Sequence, residues 1–335
     1  MPSRSLVVTT INPPNAVLRA LDAGAAAHDV PFYVVGDTKT PADFRLEHAR
    51  YLSVEAQMAA FPGLCDVLPV RHYTRKNVGY LAAIADGADE IQETDDDNIP
   101  EPAFWRRWPT FVRAEAVAGP RGWFNVYRLF TETFVWPRGL PLERVQDSAT
   151  PDLAAAPVES RGLILQGLAD DNPDVDAVYR LTRPLPVRFE RDRSVLLRPG
   201  VWCPFNSQNT VFRRSAFPLL YLPSKCTFRM TDIWRSFVAQ RCLWELDEGV
   251  VFHGPTVRQE RNEHDLLRDF QDEVPGYLNN DRIRAVLERC VLDRGDVAGN
   301  LTQCYEALVA ARLLPDAELP IVRQWCRALE ELGAA

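Results

Sequence analysis

The sequence predicts an α/β fold built on a parallel sheet. Three observations carry this: a strand–helix–strand pattern at the start of the chain, polar loops after both strands, and a later helix leading through a short strand into Asp95-Asp96-Asp97. Ser5 to Thr10 (SLVVTT) is a short buried-strand pattern, closed by Ile11-Asn12-Pro13-Pro14. Ala16 to Ala27 reads as a helix, and Pro31 to Val35 as a second strand that ends at Gly36-Asp37-Thr38-Lys39-Thr40-Pro41. A strand–helix–strand unit of this length places its ligand site at the carboxyl ends of the strands.

Tyr51-Leu52-Ser53 is a weaker third strand. Arg75 to Ala88 is a helix, with Val78, Leu81, Ala82 and Ala85 at helical spacing and Gly87 near its end. Glu90 to Thr94 is the next strand. Residues 142 to 175 lose periodicity and read as an irregular connection, and pattern returns at Val175 to Tyr179. Thr231 to Glu245 is a helix with Thr231 suited to its N-cap, and Val250-Val251-Phe252 is strand-like. Residues 281 to 335 give two or three amphipathic helices. The expected division is a domain over 1–280, with halves at about 1–101 and 102–280, and a helical appendage over 281–335.

Of the 335 residues, 46% are hydrophobic and 25% charged, which supplies ample core. The net charge of -8 argues against a protein that coats nucleic acid. No apolar run approaches the ~20 residues that span a bilayer. The first residues lack the pattern of a signal peptide, so a cytoplasmic location is expected. Seven widely spaced cysteines with no Cys-x-x-Cys pair read as reduced, mostly buried thiols.

Three adjacent carboxylates repel one another, so a fold keeps them on a solvated loop or around a cation. At a strand's carboxyl end, Asp95 and Asp97 at i and i+2 can face the same side and share a hard cation. Oxygen ligands favour Mg²⁺ or Mn²⁺ over zinc. Just upstream stand Arg71, His72, Arg75 and Lys76. The helix dipole disfavours cations at a helix start, so a nearby anion such as a diphosphate is expected, or else a solvated basic turn. Trp202, Phe205, Asn206, Gln208 and Asn209 offer the aromatic and amide mixture of a sugar pocket, although Trp202 equally suits a core. Asp232 opens a helix, as a general base or as a cap. His253 follows a strand-like run, where it can meet phosphate or metal or be structural, and the same choice stands for His264. A phosphohydrolase of the DxDxT type is unsuited, because its motif follows the first strand.

The segment from Leu68-Pro69 through Pro100 resembles the STELLO-type glycosyltransferase family, in which an RK-VGYL-AI--GA--I helix also leads into an acidic cluster. Further matching stretches are Gly36 to Pro41, Val135-Trp136-Pro137-Arg138-Gly139-Leu140-Pro141-Leu142-Glu143, Pro204 to Thr210, and Asp232 through Trp244. A more distant likeness is to the reversibly glycosylated polypeptides, or UDP-arabinopyranose mutases.

The resemblance implies a GT-A-like fold: a Rossmann-like nucleotide-sugar-binding half, a DxD motif, then an acceptor half. It implies that Thr10, Asn12 and Asp96 border the nucleotide-sugar and that Asp37 contacts the base. Arg75 and Lys76 would lie near the nucleotide or its phosphates, and Asp95 and Asp97 would form the metal motif, with His253 a candidate to complete it. The implied reaction moves a sugar, UDP-linked by preference, to a saccharide or other hydroxyl acceptor with Mn²⁺ or Mg²⁺. The alternatives are a sugar-nucleotide mutase, a self-glycosylating protein and a non-catalytic GT-A-like scaffold. Membrane-anchored members carry an N-terminal transmembrane segment with no counterpart in these residues.

Overall fold

Strand β1 (Arg4–Thr9) is buried along nearly its whole length and pairs in parallel with β2 (Phe32–Val35) on one side and β4 (Glu90–Thr94) on the other. The computed structural model describes residues 3–119, 121–147, 151–260 and 265–335. Helix α1 (Ala16–Ala27) links β1 to β2. Its N-cap Asn15 accepts from the Leu18 amide, and the Asn15 side-chain amide donates to the Asp96 carbonyl. The cap that starts the helix therefore also fixes the acidic turn. After β2 come β3 (Arg50–Leu52), α2 (Val54–Ala60), the short α3 (Pro62–Cys65) and α4 (Lys76–Ala85). Helix α4 lies tight on the sheet. A Cβ at Gly79 would stand 2.4 Å from Val35 Cγ2 and 2.7 Å from Val7 Cγ1, so only glycine fits.

The chain continues through β5 (Asn98–Pro100), β6 (Val112–Gly119), β7 (Gly122–Trp123), β8 (Asp152–Leu153), β9 (Val158–Ser160), β10 (Ile164–Asp170) and α5 (Ala177–Thr182). It then forms β11 (Ser194–Leu197), β12 (Val201–Trp202), β13 (Asn209–Arg213), α6 (Thr231–Trp244) and β14 (Val250–Gln259). Helices α7 (Leu266–Leu287), α8 (Val297–Ala310) and α9 (Leu319–Glu331) close it. Among the described residues the main sheet runs β3-β2-β1-β4-β13-β10-β14-β11-β6-β8, with β5 added to β14 and β9 to β6. The α/β class and the Rossmann-like first half are as expected. Parallel strands β1, β2, β4, β10 and β14 all deliver their carboxyl ends to one edge of the sheet, where the acidic run lies.

Two expectations need correction. Residues 164–170, read as part of an irregular connection, form a central strand that is buried at every position. Its polar residues hid it: Gln166 is satisfied by Asn206 and Thr210. The boundary at 280/281 falls inside α7, and the C-terminal helices, present as expected, pack into the main core. Leu301, Cys304, Tyr305, Leu308, Ile321 and Trp325 share one core with α4 and α6. Glu318 accepts from the backbone amides of Ser224 and Lys225, so these helices hold the loop that leads to α6. Thr231 is not the cap of α6. Met230 holds that position, and no side chain caps the helix.

All seven cysteines are free. No described helix is long and apolar enough to cross a membrane. His264 lies outside the described residues.

Candidate active site

A cleft of about 460 Å³ opens at the carboxyl edge of the sheet. The loop after β1 supplies Thr10, Ile11 and Asn12, and the loop after β2 supplies Asp37 and Lys39. The segment before α4 adds Arg71, His72 and Tyr73, and the turn after β4 adds Asp95, Asp96 and Asp97. From the second half come Arg138, Asp174, Arg180, Asn206, Gln208, Phe228, Arg229, Asp232 and, at the end of β14, Gln259.

The three aspartates form a turn and not a strand end, closed by the Asn98 amide on the Asp95 carbonyl at 3.3 Å. Each takes its own set of partners. Asp96 Oδ2 accepts from Thr10 Oγ1 at 2.6 Å and Asn12 Nδ2 at 3.0 Å. Asp97 Oδ2 accepts from Gln259 Nε2 at 3.1 Å. Asp95 Oδ1 accepts from the Tyr73 hydroxyl at 2.7 Å and Lys76 Nζ at 3.1 Å. Burial pushes the Asp95 carboxyl above its usual range, while Lys76 and Tyr73 pull it back only in part.

The second half centres on Arg138, whose guanidinium grips two carboxylates. It meets Asp174 at 2.7 and 2.9 Å and Asp232 at 3.0 and 2.9 Å. Burial alone would raise the Asp232 carboxyl, but Arg138 overrides it and holds it below the usual range. Burial likewise works against the Arg138 charge, and Asp174 and Asp232 restore it. Fork-to-fork pairing of this kind gives geometric definition as well as energy.

A hydrogen-bonded floor joins the two ends. Tyr73 Oη lies 2.5 Å from Ser207 Oγ, and the Ser207 amide donates to Asp232 Oδ2 at 3.3 Å. From Lys76 through Asp95, Tyr73 and Ser207 to Asp232 and Arg138, the contacts are continuous.

The structure brings Thr10, Asn12, Asp37, Asp95, Asp96, Asp97, Asn206, Gln208 and Asp232 to the cleft. Asp37 binds backbone: its carboxylate accepts from the amides of Thr38, Arg71 and His72.

Several expected residues lie elsewhere. Arg75 is 1% exposed and turns away to Gln57 and Cys65. Lys76 is fully buried beneath Asp95, held by the Thr94 carbonyl at 2.9 Å and Tyr73 at 2.8 Å. The anion that Lys76 requires is the protein's own, and Arg75 is answered by a neutral amide oxygen. Trp202 and Phe205 are core residues, Trp202 packed against Trp123, Phe237 and Trp244. Asn209 is buried against Leu168 and Thr256. His253 stands mid-strand, opposite Gly167 and under Trp108, and does not line the cleft. Burial holds its imidazole neutral, with the pKa lowered to about 3.

Among the described residues, no three His, Cys, Asp or Glu side chains form a ready-made metal cage. Mg²⁺ characteristically uses one or two protein carboxylates plus phosphate oxygens, so a cage is not required. Beside Asp97, the buried Gln259 Oε1 has no hydrogen-bond partner among the described residues. An orphan acceptor next to carboxylates, with no imidazole or thiolate at hand, fits a hard cation.

Sequence reading passed over Tyr73, Arg138, Asp174, Arg180, Phe228, Arg229 and Gln259. Arg138 had a signal, since it sits in the WPRGLPLE string, and Tyr73 lies inside the basic segment. Asp174 belongs to the stretch read as irregular.

Residues 229–335 match the family model described as STELLO glycosyltransferases. The chain is also 34% identical over 268 residues to "Probable glycosyltransferase STELLO2" of Arabidopsis thaliana, covering 74% of this chain and 35% of that protein. The STELLO-type resemblance is thereby shown. "Probable glycosyltransferase STELLO1" from the same plant is 33% identical over 243 residues, 67% of this chain and 32% of that protein. The chain thus spans about a third of the length of these STELLO relatives. A looser structural likeness is to the M. tuberculosis glucosyl-3-phosphoglycerate synthase, with TM-score 0.41 and 14% identity over 83% of this chain and 80% of that one. The STELLO family match includes Asp232 and Arg229 as well as all of α8 and α9.

Proposed function

We propose that this chain is a glycosyltransferase that moves a sugar from a nucleoside-diphosphate donor, UDP-linked by preference, to a hydroxyl acceptor. One observation carries the reading: the acidic turn after β4 and the Arg138–Asp232 pair occupy the floor of one cleft, linked through Tyr73 and Ser207. A sugar transferase needs a charge-neutralising group and a carboxylate on either side of one bond.

In this reading, the loops after β1 and β2 take the nucleoside, next to Asp37. Lys39 and Arg71, which reach the cleft, replace Arg75 and Lys76 as the cations facing the diphosphate. Asp95 and Asp97, with the Gln259 oxygen, would hold Mn²⁺ or Mg²⁺, which stabilises a diphosphate leaving group. Lys76 keeps the Asp95 carboxylate in place from behind. Asp232 is ionised at neutral pH and accepts the proton of the acceptor hydroxyl as that oxygen bonds the anomeric carbon and the bond to the diphosphate breaks. Arg138 fixes the orientation of that carboxylate.

Calorimetric titration of UDP and UDP-sugars with and without Mn²⁺ tests this. Metal-dependent binding that weakens in Asp97→Asn is expected, and the absence of any nucleotide binding would sink the reading. A non-catalytic scaffold would bind the donor without consuming it, which a product assay on the same preparation separates.

A further inference from the structure

The sugar-pocket aromatics expected from the sequence are buried, yet one aromatic ring in the cleft is not. Phe228 is 53% exposed and lines the cleft, its ring 5.7 Å from that of Tyr73 in an edge-on contact. A phenyl ring has no polar group to reward exposure to water, and covering it with an apolar face is favourable. Its setting is otherwise polar, with Arg180, Asp174, Asn206 and Gln208 around the same cleft.

The ring is also rigidly placed. It opens the turn Phe228–Met230 that runs straight into α6. Its neighbour Arg229 is anchored to Glu273 at 2.9 Å, and the Arg229 carbonyl accepts from Arg138. The platform is thus fixed to the same guanidinium that orients Asp232. Whatever covers Phe228 lies in the same cleft as that carboxylate.

We propose that Phe228 is the stacking platform for the acceptor, and that the acceptor is therefore a saccharide. A pyranose ring presents one face of C–H groups to an aromatic ring, while its hydroxyls reach amide and charged side chains at the edge. The cleft supplies both, in the combination that recognises sugars. The inference rests on the glycosyltransferase reading for the role of the bound sugar but not for its binding.

The experiment is saturation-transfer NMR of the full chain with methyl β-glucoside, β-galactoside, β-xyloside and α-mannoside, each with and without UDP and Mn²⁺. Calorimetry of UDP with Mn²⁺ runs in parallel. Wild-type protein should transfer saturation to ring C–H protons of at least one glycoside. Phe228→Ala should lose about tenfold or more of that affinity, the equivalent of uncovering most of one apolar side chain. Phe228→Trp should retain it, and UDP affinity should stay within about twofold in both variants. Because the ring is exposed, the melting temperature should not move.

Three results would overturn the proposal: no glycoside contacting the wild type, unchanged glycoside binding in Phe228→Ala, or a loss of UDP affinity in place of glycoside affinity. The last would make the ring a nucleobase platform. Failure of UDP to bind wild-type protein would instead count against the donor reading, since the glycoside arm without UDP stands alone.

Discussion

Replacing Arg138 with methionine removes a cation that two buried carboxylates share. Arg138 makes four charge-assisted hydrogen bonds to Asp174 and Asp232, and its side chain is 6% exposed against 10% for each aspartate. Without it, both carboxylates remain buried and lose the guanidinium that pairs them. Breaking a buried pair by deleting one partner costs about 3–5 kcal/mol. For a chain of this size that corresponds to a fall of roughly 4–7 °C in Tm. The pH dependence adds a second signature. In the wild type, Asp232 is depressed below its unfolded value, so its contribution is present above the ordinary carboxylate range and is lost as pH falls through the folded value. In Arg138→Met, the burial of Asp232 is opposed only by the charges of Arg235 and Arg229, so this acid rises and its protonation relieves the folded state as pH drops. The gap in Tm between the two proteins should therefore narrow between about pH 8 and pH 5. The triple variant Arg138→Met, Asp174→Asn, Asp232→Asn should recover much of the loss, since no buried charge remains unpaired. Scanning calorimetry across this range measures all three proteins. An unchanged Tm, or a gap that stays constant with pH, would refute the account of Arg138 as the counter-ion of both acids.

If Asp232 takes the acceptor proton, Asp232→Asn should lower kcat by ~10²- to 10⁴-fold while UDP-sugar affinity holds, read from initial rates and calorimetry. Lys76→Met should leave Asp95 without its buried cation and lower both Tm and Mn²⁺-dependent nucleotide binding; a variant that loses neither would deny Lys76 its positioning role. Trp202→Ala should cost about 3–5 kcal/mol as a core truncation, with no change in glycoside contact by NMR. His253 is neutral in the fold, with a pKa of about 3, and takes up a proton on unfolding near pH 6.5. Its contribution is complete above pH 6.5 and is lost as pH falls, at about 1.4 kcal/mol per pH unit. His253→Gln should flatten that part of the acid unfolding profile.

The first half of the fold was legible because it is written in runs and periods. SLVVTT, the apolar stripe of α4 and the punctuation at Pro13-Pro14 and Gly87 each have a local cause. The acidic run was legible for a different reason, since adjacent carboxylates need an explanation wherever they occur. Arg75 and Lys76 show the limit of such reasoning. Cations at a helix start do call for an anion, but Asp95 and Glu93 answer Lys76, and the Gln57 oxygen answers Arg75. The choice between an internal partner and a ligand depends on which way α4 is rotated, and Gly79 against Val7 and Val35 sets that rotation. Strand β10 was missed because Gln166 and Gly167 interrupt its apolar run, and their partners lie about 40 residues away at Asn206 and Thr210. Trp202, which suited a sugar pocket or a core, lies in the core, and Phe228, which sequence reading passed over, lines the cleft. Both are aromatic residues near polar neighbours, and only the path of the chain decides which one meets water.

Strand β13 joins the two halves edge to edge, pairing with β4 at Thr210↔Glu93 and with β10 at Gln166↔Thr210. The cleft therefore stands on one uninterrupted sheet, and the route from Asp95 to Asp232 crosses no hinge. Such a molecule does not breathe by swinging one lobe against the other. Its two sets of carboxylates are tied by the ladder through β4, β13 and β10 beneath them and by the contacts through Tyr73 and Ser207. Adjustment to ligands is left to the rim, in the loops carrying Ile11 and Lys39, while the turn carrying Phe228 stays anchored through Arg229. Those segments can vary in sequence without disturbing the spacing beneath them, so one rigid base can serve different guests by changes at its lip.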